Sequence, residues 1–235
     1  SHKIKLFFII LLIINLAGCE DEVKHLPIRS TDLQIAEYIS EYPDMFSEFD
    51  AMVRKSQIRG LLNSHGPLTL LLPTNEAMEA YYAKKDISSY LDIDSVQLNK
   101  LVMNHIVPTL VETNSMVLGA LPSVNAIGDY IVSEFQETDI ILNKRSIIIK
   151  RDISNLNGIT HIIDKVLEPI DLSIYETLAA DGGYSILAEA IERTNIDDTL
   201  NIITIPFGNK EVRSRFTILA VHDTVFNNRG VSSID

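Results

Sequence analysis

Apolar residues recur at helical spacing in two stretches near the start of the chain. Leu33, Ile35, Ala36, Tyr38 and Ile39 predict a helix over 32–40, and Thr31-x-x-Gln34 resembles a capping box in front of it. Pro43 restarts the chain. Met45, Phe46, Phe49, Met52 and Val53 then predict a second helix over 44–56, whose stripe is most simply core. Asn63-Ser64-His65-Gly66-Pro67 is dense in turn formers, and Leu68-Thr69-Leu70-Leu71-Leu72 after it reads as a short buried strand ended by Pro73. Thr74 or Asn75 can cap the helix that follows, with Glu76 and Glu79 in its first turn, where the helix dipole favours anions. A further helix is predicted from Ser95 to Ile106, with Val96, Leu98, Leu101, Val102 and Ile106 inward and Pro108 as its stop.

Beyond Pro108 the period changes. Residues 130–135, 138–142 and 146–150 are short and β-branched and predict strands, and Gly158 opens another apolar run, 159–167, closed by Pro169. Helices first and strands later predict an α+β domain. The pattern then repeats. "FSEFDAMVRKSQI" (46–58) returns as "YSILAEAIERTNI" (184–196) at a spacing of 138, and "LTLLLPTNEAM" (68–78) returns as "FTILAVHDTVF" (216–226) at a spacing of 148. The extra ten residues fit an insertion around Asn201–Arg213, where Pro206 and Gly208 mark a loop. Ser173-x-x-Glu176 supplies a fresh capping box. A period this long means tandem domains rather than a solenoid. The second copy has no counterpart of residues 95–170, so its sheet is expected to lack closing strands, and the chain reads as part of a longer protein.

The first residues follow other rules. Lys3 and Lys5 precede an unbroken apolar run, Leu6–Ile14, and Glu20, Asp21 and Glu22 close the segment. The run is well short of the roughly 20 residues that span a bilayer. Cys19 is the sole cysteine, so it can form neither an internal disulfide nor a thiolate metal site. It is either a small residue in an apolar helix or an attachment point. A positive start, a short apolar core and small residues before a processing point describe an export signal. Leu16-Ala17-Gly18-Cys19 closely resembles the lipobox of bacterial lipoproteins, which implies lipidation of Cys19 and cleavage before it. The three acids read either as a solvated linker or as an address. They resemble the surface-export signal of lipoproteins in one Gram-negative group. The expected organisation is a signal peptide (1–18), an acidic lipidated tether (19–31), a first domain (32–170) and the N-terminal part of a second (171–235). The expected location is the outer membrane, facing outward.

Charge and composition narrow the partners. The net charge is −12, and removing residues 1–18 takes away two lysines and leaves −14. Such a chain repels phosphate backbones, which counts against nucleic acid, and against docking of the protein body on anionic lipid. Tryptophan is absent, which disfavours a sugar cleft built on flat aromatic platforms, although tyrosine could serve. There is no G-x-S-x-G, no phosphate-cradling glycine loop and no H-E-x-x-H. A carboxylate pair for glycoside hydrolysis stays open only because 32 acids offer many pairs.

"LTLLLPTNEAM" resembles the first signature of fasciclin-type domains, and "NGITHIIDKVLEP" (157–169) the second. Between them lies "LVMNHIV", where that family carries a tyrosine–histidine pair; His105 is kept, and Asn104 stands at the tyrosine position. The resemblance covers about 32–170 in full and 171–235 in part. It implies a wedge-like β-sandwich wrapped by helices, no cofactor, no metal, and adhesion or binding rather than catalysis. It singles out Thr74, Asn75, His105, Asp152, Gly158, His161 and Asp164. Each has a plain reading. Asn75 caps a helix or braces a turn, and His105, late in an apolar helix, is more often a satisfied core histidine than a ligand. His161 and Asp164 lie three apart on a strand, hence on opposite faces, which argues against a shared metal or proton relay. Asp152, Gly158 and Asp164 fix turns and edges. Three functions follow in order: a lipid-anchored surface module that contacts a protein or polysaccharide, a structural accessory of a TonB-dependent outer-membrane import complex, and a glycan hydrolase.

Overall fold

The computed structural model describes residues 33–64, 66–208 and 210–234. Thr31, Cys19 and the acids 20–22 lie outside them. The first helix, α1, spans Ile35–Glu41 rather than 32–40: its start is set by the Gln34 backbone N–H, which donates to the Glu37 carboxylate at 2.8 Å. The second, α2 (Pro43–Lys55), begins with proline at its first turn, where no N–H is needed, and buries Phe46, Phe49, Met52 and Val53. A short turn, α3 (Arg59–Leu62), leads into β1 (Leu68–Pro73). Thr74 caps α4 (Asn75–Lys85), its hydroxyl accepting from Ala77 N at 3.2 Å. Asp94 caps α5 (Ser95–Asn104), accepting from Val96 N and Gln97 N. Val96, expected to face inward, sits in the first turn of α5 and is 75% exposed.

The strands are β2 (Ile106–Val107), β3 (Gly119–Ala120), β4 (Val132–Gln136), β5 (Asp139–Leu142), β6 (Ser146–Asn155) and β7 (Gly158–Ile163). Ile106 therefore belongs to β2 and not to α5. The sandwich takes the form of one sheet bent over itself, in the order β2-β1-β7-β6-β5-β4-β3. All neighbours are antiparallel except β1 and β7, which run parallel over six residue pairs, Leu68↔Gly158 to Pro73↔Ile163. The bend falls on β6, where pairing with β7 slips between Ile148 and Ile153 around Asp152, a residue at φ +59°. Such bulges bend a strand and increase its twist. They also let β6 run five residues past the 146–150 expected from its pattern.

Bending gives two cores. Leu70, Leu72, Ile153 and Ile162 pack with the helices, while Leu71, Val107, Leu142, Ile148 and Ile163 face the folded-over strands. Consecutive leucines in β1 thus bury on opposite sides, which is why an unbroken apolar run rather than alternation marks this strand. Full burial of each contributes roughly 1.5–3 kcal/mol.

Residues 171–234 form a smaller unit. Ser173 and Glu176 close the capping box of α6 (Ile174–Ala179). Helices α7 (Ser185–Arg193) and α8 (Asp197–Leu200) share with it a small apolar cluster of Leu178, Ile191 and Leu200. A two-stranded hairpin, β8 (Thr204–Phe207) and β9 (Lys210–Arg213), fills the insertion, and α9 (Asp223–Asn227) follows. Residues 216–221, the counterpart of β1, join no ladder, and Leu219 is 90% exposed. In the first unit β2 and β7 hold this strand, and no counterpart of either is present among the described residues.

Gly158 tests the central pairing. A Cβ there would lie 2.0 Å from the Leu68 carbonyl oxygen, against backbone that cannot give way. Gly158→Ala is expected to cost about 3 kcal/mol and to lower the melting temperature by roughly 6–12 °C. A thermal melt matching the wild type would contradict the β1–β7 geometry.

Candidate functional site

The two signature segments meet as the parallel strands β1 and β7, and the polar residues between and beside them form three hydrogen-bonded centres. The first is at the start of the pair. Asn157, in the two-residue turn from β6 to β7, accepts from Ile35 N at 2.9 Å and donates to Leu62 O at 2.7 Å and Ser64 O at 2.9 Å. Its own carbonyl accepts from Leu68 N at 3.0 Å. One buried amide therefore fixes α1, α3 and β1 to the hairpin.

The second centre is at the end of α5. His105 is fully buried, edge-on to Phe49. Its Nδ1 lies 2.8 Å from Leu101 O, so this nitrogen carries the proton, and Nε2 accepts from Leu167 N at 3.0 Å. Asn104 completes the grip by donating to Leu167 O at 2.8 Å. The bond back to Leu101 also ends the helix at Asn104. Asn125, 2% exposed, donates to Asn104 Oδ1 at 2.8 Å, so the amide at the tyrosine position is the middle of a chain of bonds running from Leu167 to the 125–129 loop.

The third centre is on the other core. His161 is fully buried, donates from Nε2 to Val111 O at 2.8 Å and accepts at Nδ1 from Asp152 N at 3.1 Å. Val111 N donates to the hydroxyl of Thr69 on β1 at 2.8 Å. The Asp152 carboxylate accepts from Thr113 N at 2.9 Å and from the Thr113 hydroxyl. Asp164 sits apart, at the far end of β7, where it accepts from Ile147 N at 2.6 Å. His161 and Asp164 thus share no partner. Asn75 accepts from Glu48 N at 3.0 Å and donates to Pro43 O and Asp44 O, bracing the first turn of α2.

The last contact recurs in the smaller unit. Asp223, 148 positions after Asn75, accepts from Ile186 N at 3.0 Å, Ser185 N at 2.9 Å and the Ser185 hydroxyl at 2.6 Å. His222, in the place of Thr74, caps α9 as Thr74 caps α4. The sequence marked the two histidines and Asn75. It marked Asn104 only as standing at the tyrosine position and did not single out Asn125, Asn157 or Thr69 as centres, because the contacts that tie them to the rest of the fold reach 21 to 122 positions along the chain.

Chemically these centres are saturated. Both imidazoles have both nitrogens engaged, and burial pushes both pKa values down, that of His105 to about 4. Among the described residues no group of histidine, cysteine, aspartate and glutamate could hold a metal ion. No helix among them is long and apolar enough to cross a membrane.

A fasciclin domain model matches residues 44–169, more than half of the chain, and the chain belongs to the fasciclin domain family. It is 29% identical over 209 residues to the transforming growth factor-beta-induced protein ig-h3 of Oryctolagus cuniculus, covering 88% of this chain and 28% of that protein. It is 28% identical over 126 residues to protein sll1483 of Synechocystis, covering 54% of this chain and 68% of that one. A solved FAS1 domain pair from the insect cell adhesion molecule fasciclin I aligns over 83% of this chain and 63% of its own, at 18% identity and a TM-score of 0.38. The chain therefore spans under a third of the length of its ig-h3 relative.

A histidine held neutral in the fold but free to protonate when unfolded makes stability depend on pH. With its pKa lowered from 6.5 to about 4, His105 contributes stability that is present above pH 6.5 and lost as pH falls towards 4. The loss is on the order of 3 kcal/mol. Denaturant titrations from pH 7 to 4 are expected to show it, with a shallower pH slope in His105→Ala, which is also less stable at pH 7 by about 1–3 kcal/mol for the bonds it leaves unmade. Identical slopes in the two proteins would contradict the assignment.

Proposed function

We propose that this chain is a non-catalytic binding module of the fasciclin family, anchored by lipid at Cys19 to the outer membrane and displayed outward. The observation that carries the non-catalytic part is the saturation of the signature residues. His105, His161, Asn75, Asp152 and Asp164 each hold backbone in place, and neither imidazole has a free nitrogen with which to move a proton or bind a metal. A general acid or base needs a reach to substrate, which burial denies both histidines, and a pKa near the working pH, from which burial lowers that of His105 to about 4 and moves that of His161 in the same direction. Function on this reading belongs to the outer surface, in contact with a protein or a polysaccharide. The anchor rests on the lipobox-like Leu16-Ala17-Gly18-Cys19, and the outward display on Glu20, Asp21 and Glu22. A single acyl chain anchors only marginally, so the reading includes more than one chain on Cys19.

Two variants separate the parts. Cys19→Ala is expected to give an uncleaved or soluble precursor, read by fractionation and intact mass; a cleaved, lipid-free chain still held by the membrane would refute the anchor. Replacing Glu20, Asp21 and Glu22 together by alanine is expected to move the lipidated protein to the periplasmic side, read by protease access on intact cells; unchanged access would refute the address. Purification from detergent-solubilised outer membrane identifies the mode of binding. Recovery in stoichiometric amount with a transport barrel would make the chain a structural accessory instead of a free adhesion module.

A further inference from the structure

The base of hairpin β8–β9 lies against the first domain. Hairpin β8–β9 pairs Thr204 with Arg213 at its base. Arg213 is the last residue of β9, and Arg215 follows two residues beyond it. Both reach the 125–130 loop of the first domain. Arg213 binds Asp129 through two bonds, Nε–Oδ1 at 2.6 Å and Nη2–Oδ2 at 2.7 Å, and donates to Ile170 O at 3.0 Å. Arg215 donates to Gly128 O at 3.1 Å and lays its guanidinium over the Tyr130 ring at 4.4 Å. The Arg213 and Asp129 side chains are 14% and 13% exposed, so solvent screens this pair far less than the surface pairs of the molecule.

The receiving loop is built in advance. Asn125 exchanges backbone bonds with Asp129 and Gly128, and its side-chain oxygen accepts from Ile127 N at 3.2 Å and Asp129 N at 2.9 Å. The same side chain is tied to Asn104, which grips Leu167. The Asp129 backbone is therefore held by a continuous set of bonds from the core of the first domain. A rigid, bidentate arginine–carboxylate pair fixes orientation as well as distance.

We propose that the β8–β9 insertion is an intramolecular clasp, in which Arg213 and Arg215 lock the second unit onto the 125–130 loop of the first and set the angle between them. Asn104 acts through Asn125 as a positioning residue for the clasp. The inference does not depend on the ligand or on the lipid anchor.

Hydrogen exchange on the full chain tests it. Arg213→Ala is expected to speed exchange at least tenfold in the peptides covering 125–130 and 202–216, with β1, β7 and α7 unchanged. Arg213→Lys keeps the charge but loses the fork and is expected to fall between. Exchanging the charges, Asp129→Arg with Arg213→Asp, is expected to return both peptides to within threefold of wild type, whereas each single variant does not. Unaltered exchange in Arg213→Ala, or a charge exchange no better than the single variants, would overturn the clasp. Equal acceleration in α7 would also overturn it, because Arg213 would then be holding the second unit's own fold rather than its docking.

Discussion

The parallel pairing of β1 with β7 is the contact on which the rest of the first domain depends. It joins segments about ninety positions apart and is the only parallel pair in the sheet. Closing so long a loop costs chain entropy, so the pair must be held at both ends. Asn157 holds its start, with one amide serving Ile35, Leu62 and Ser64. Asn104 and His105 hold the chain just past its end by gripping both sides of Leu167. The Leu68 backbone fits because residue 158 has no side chain. A buried polar group without its partner costs about as much as several good contacts gain, which explains why these centres are complete.

Much of this was legible in the sequence, for local reasons. The Leu68–Leu72 run marked a strand buried on both faces, Thr74 announced a helix start, and Ser173 with Glu176 announced another. Asp223 accepts from backbone at the start of α7 as Asn75 does at the start of α2. What escaped was non-local. The sequence marks His105, but not that its imidazole bonds Leu101 and Leu167 at the end of α5. Val96 fits an apolar pattern yet lies outside, because the cap at Asp94 sets the phase of the helix. The β-like residues 216–221 form no strand, since a strand needs a partner that propensity alone cannot supply. Likewise nothing local in the sequence pairs Arg213 with Asp129, 84 positions before it.

The saturation of these centres changes where function should be sought. In a family domain whose marked histidines and carboxylates all bind backbone, those residues make a rigid body rather than a reactive site. Rigidity serves a binding module, because a preformed surface loses less entropy on association. The clasp extends the same rigidity from one unit to two.

The protonation state of the two histidines tests this account most directly. Nitrogen-15 correlation spectra of the folded protein distinguish the tautomers and report titration at each ring. The account predicts His105 protonated at Nδ1 and His161 at Nε2, each a single tautomer, with His105 uncharged at pH 5.5 and His161 titrating below the ordinary histidine range. A ring that exchanges between tautomers, or that takes up a proton near pH 6.5, would contradict it, for that histidine would then be open to solvent and free to act.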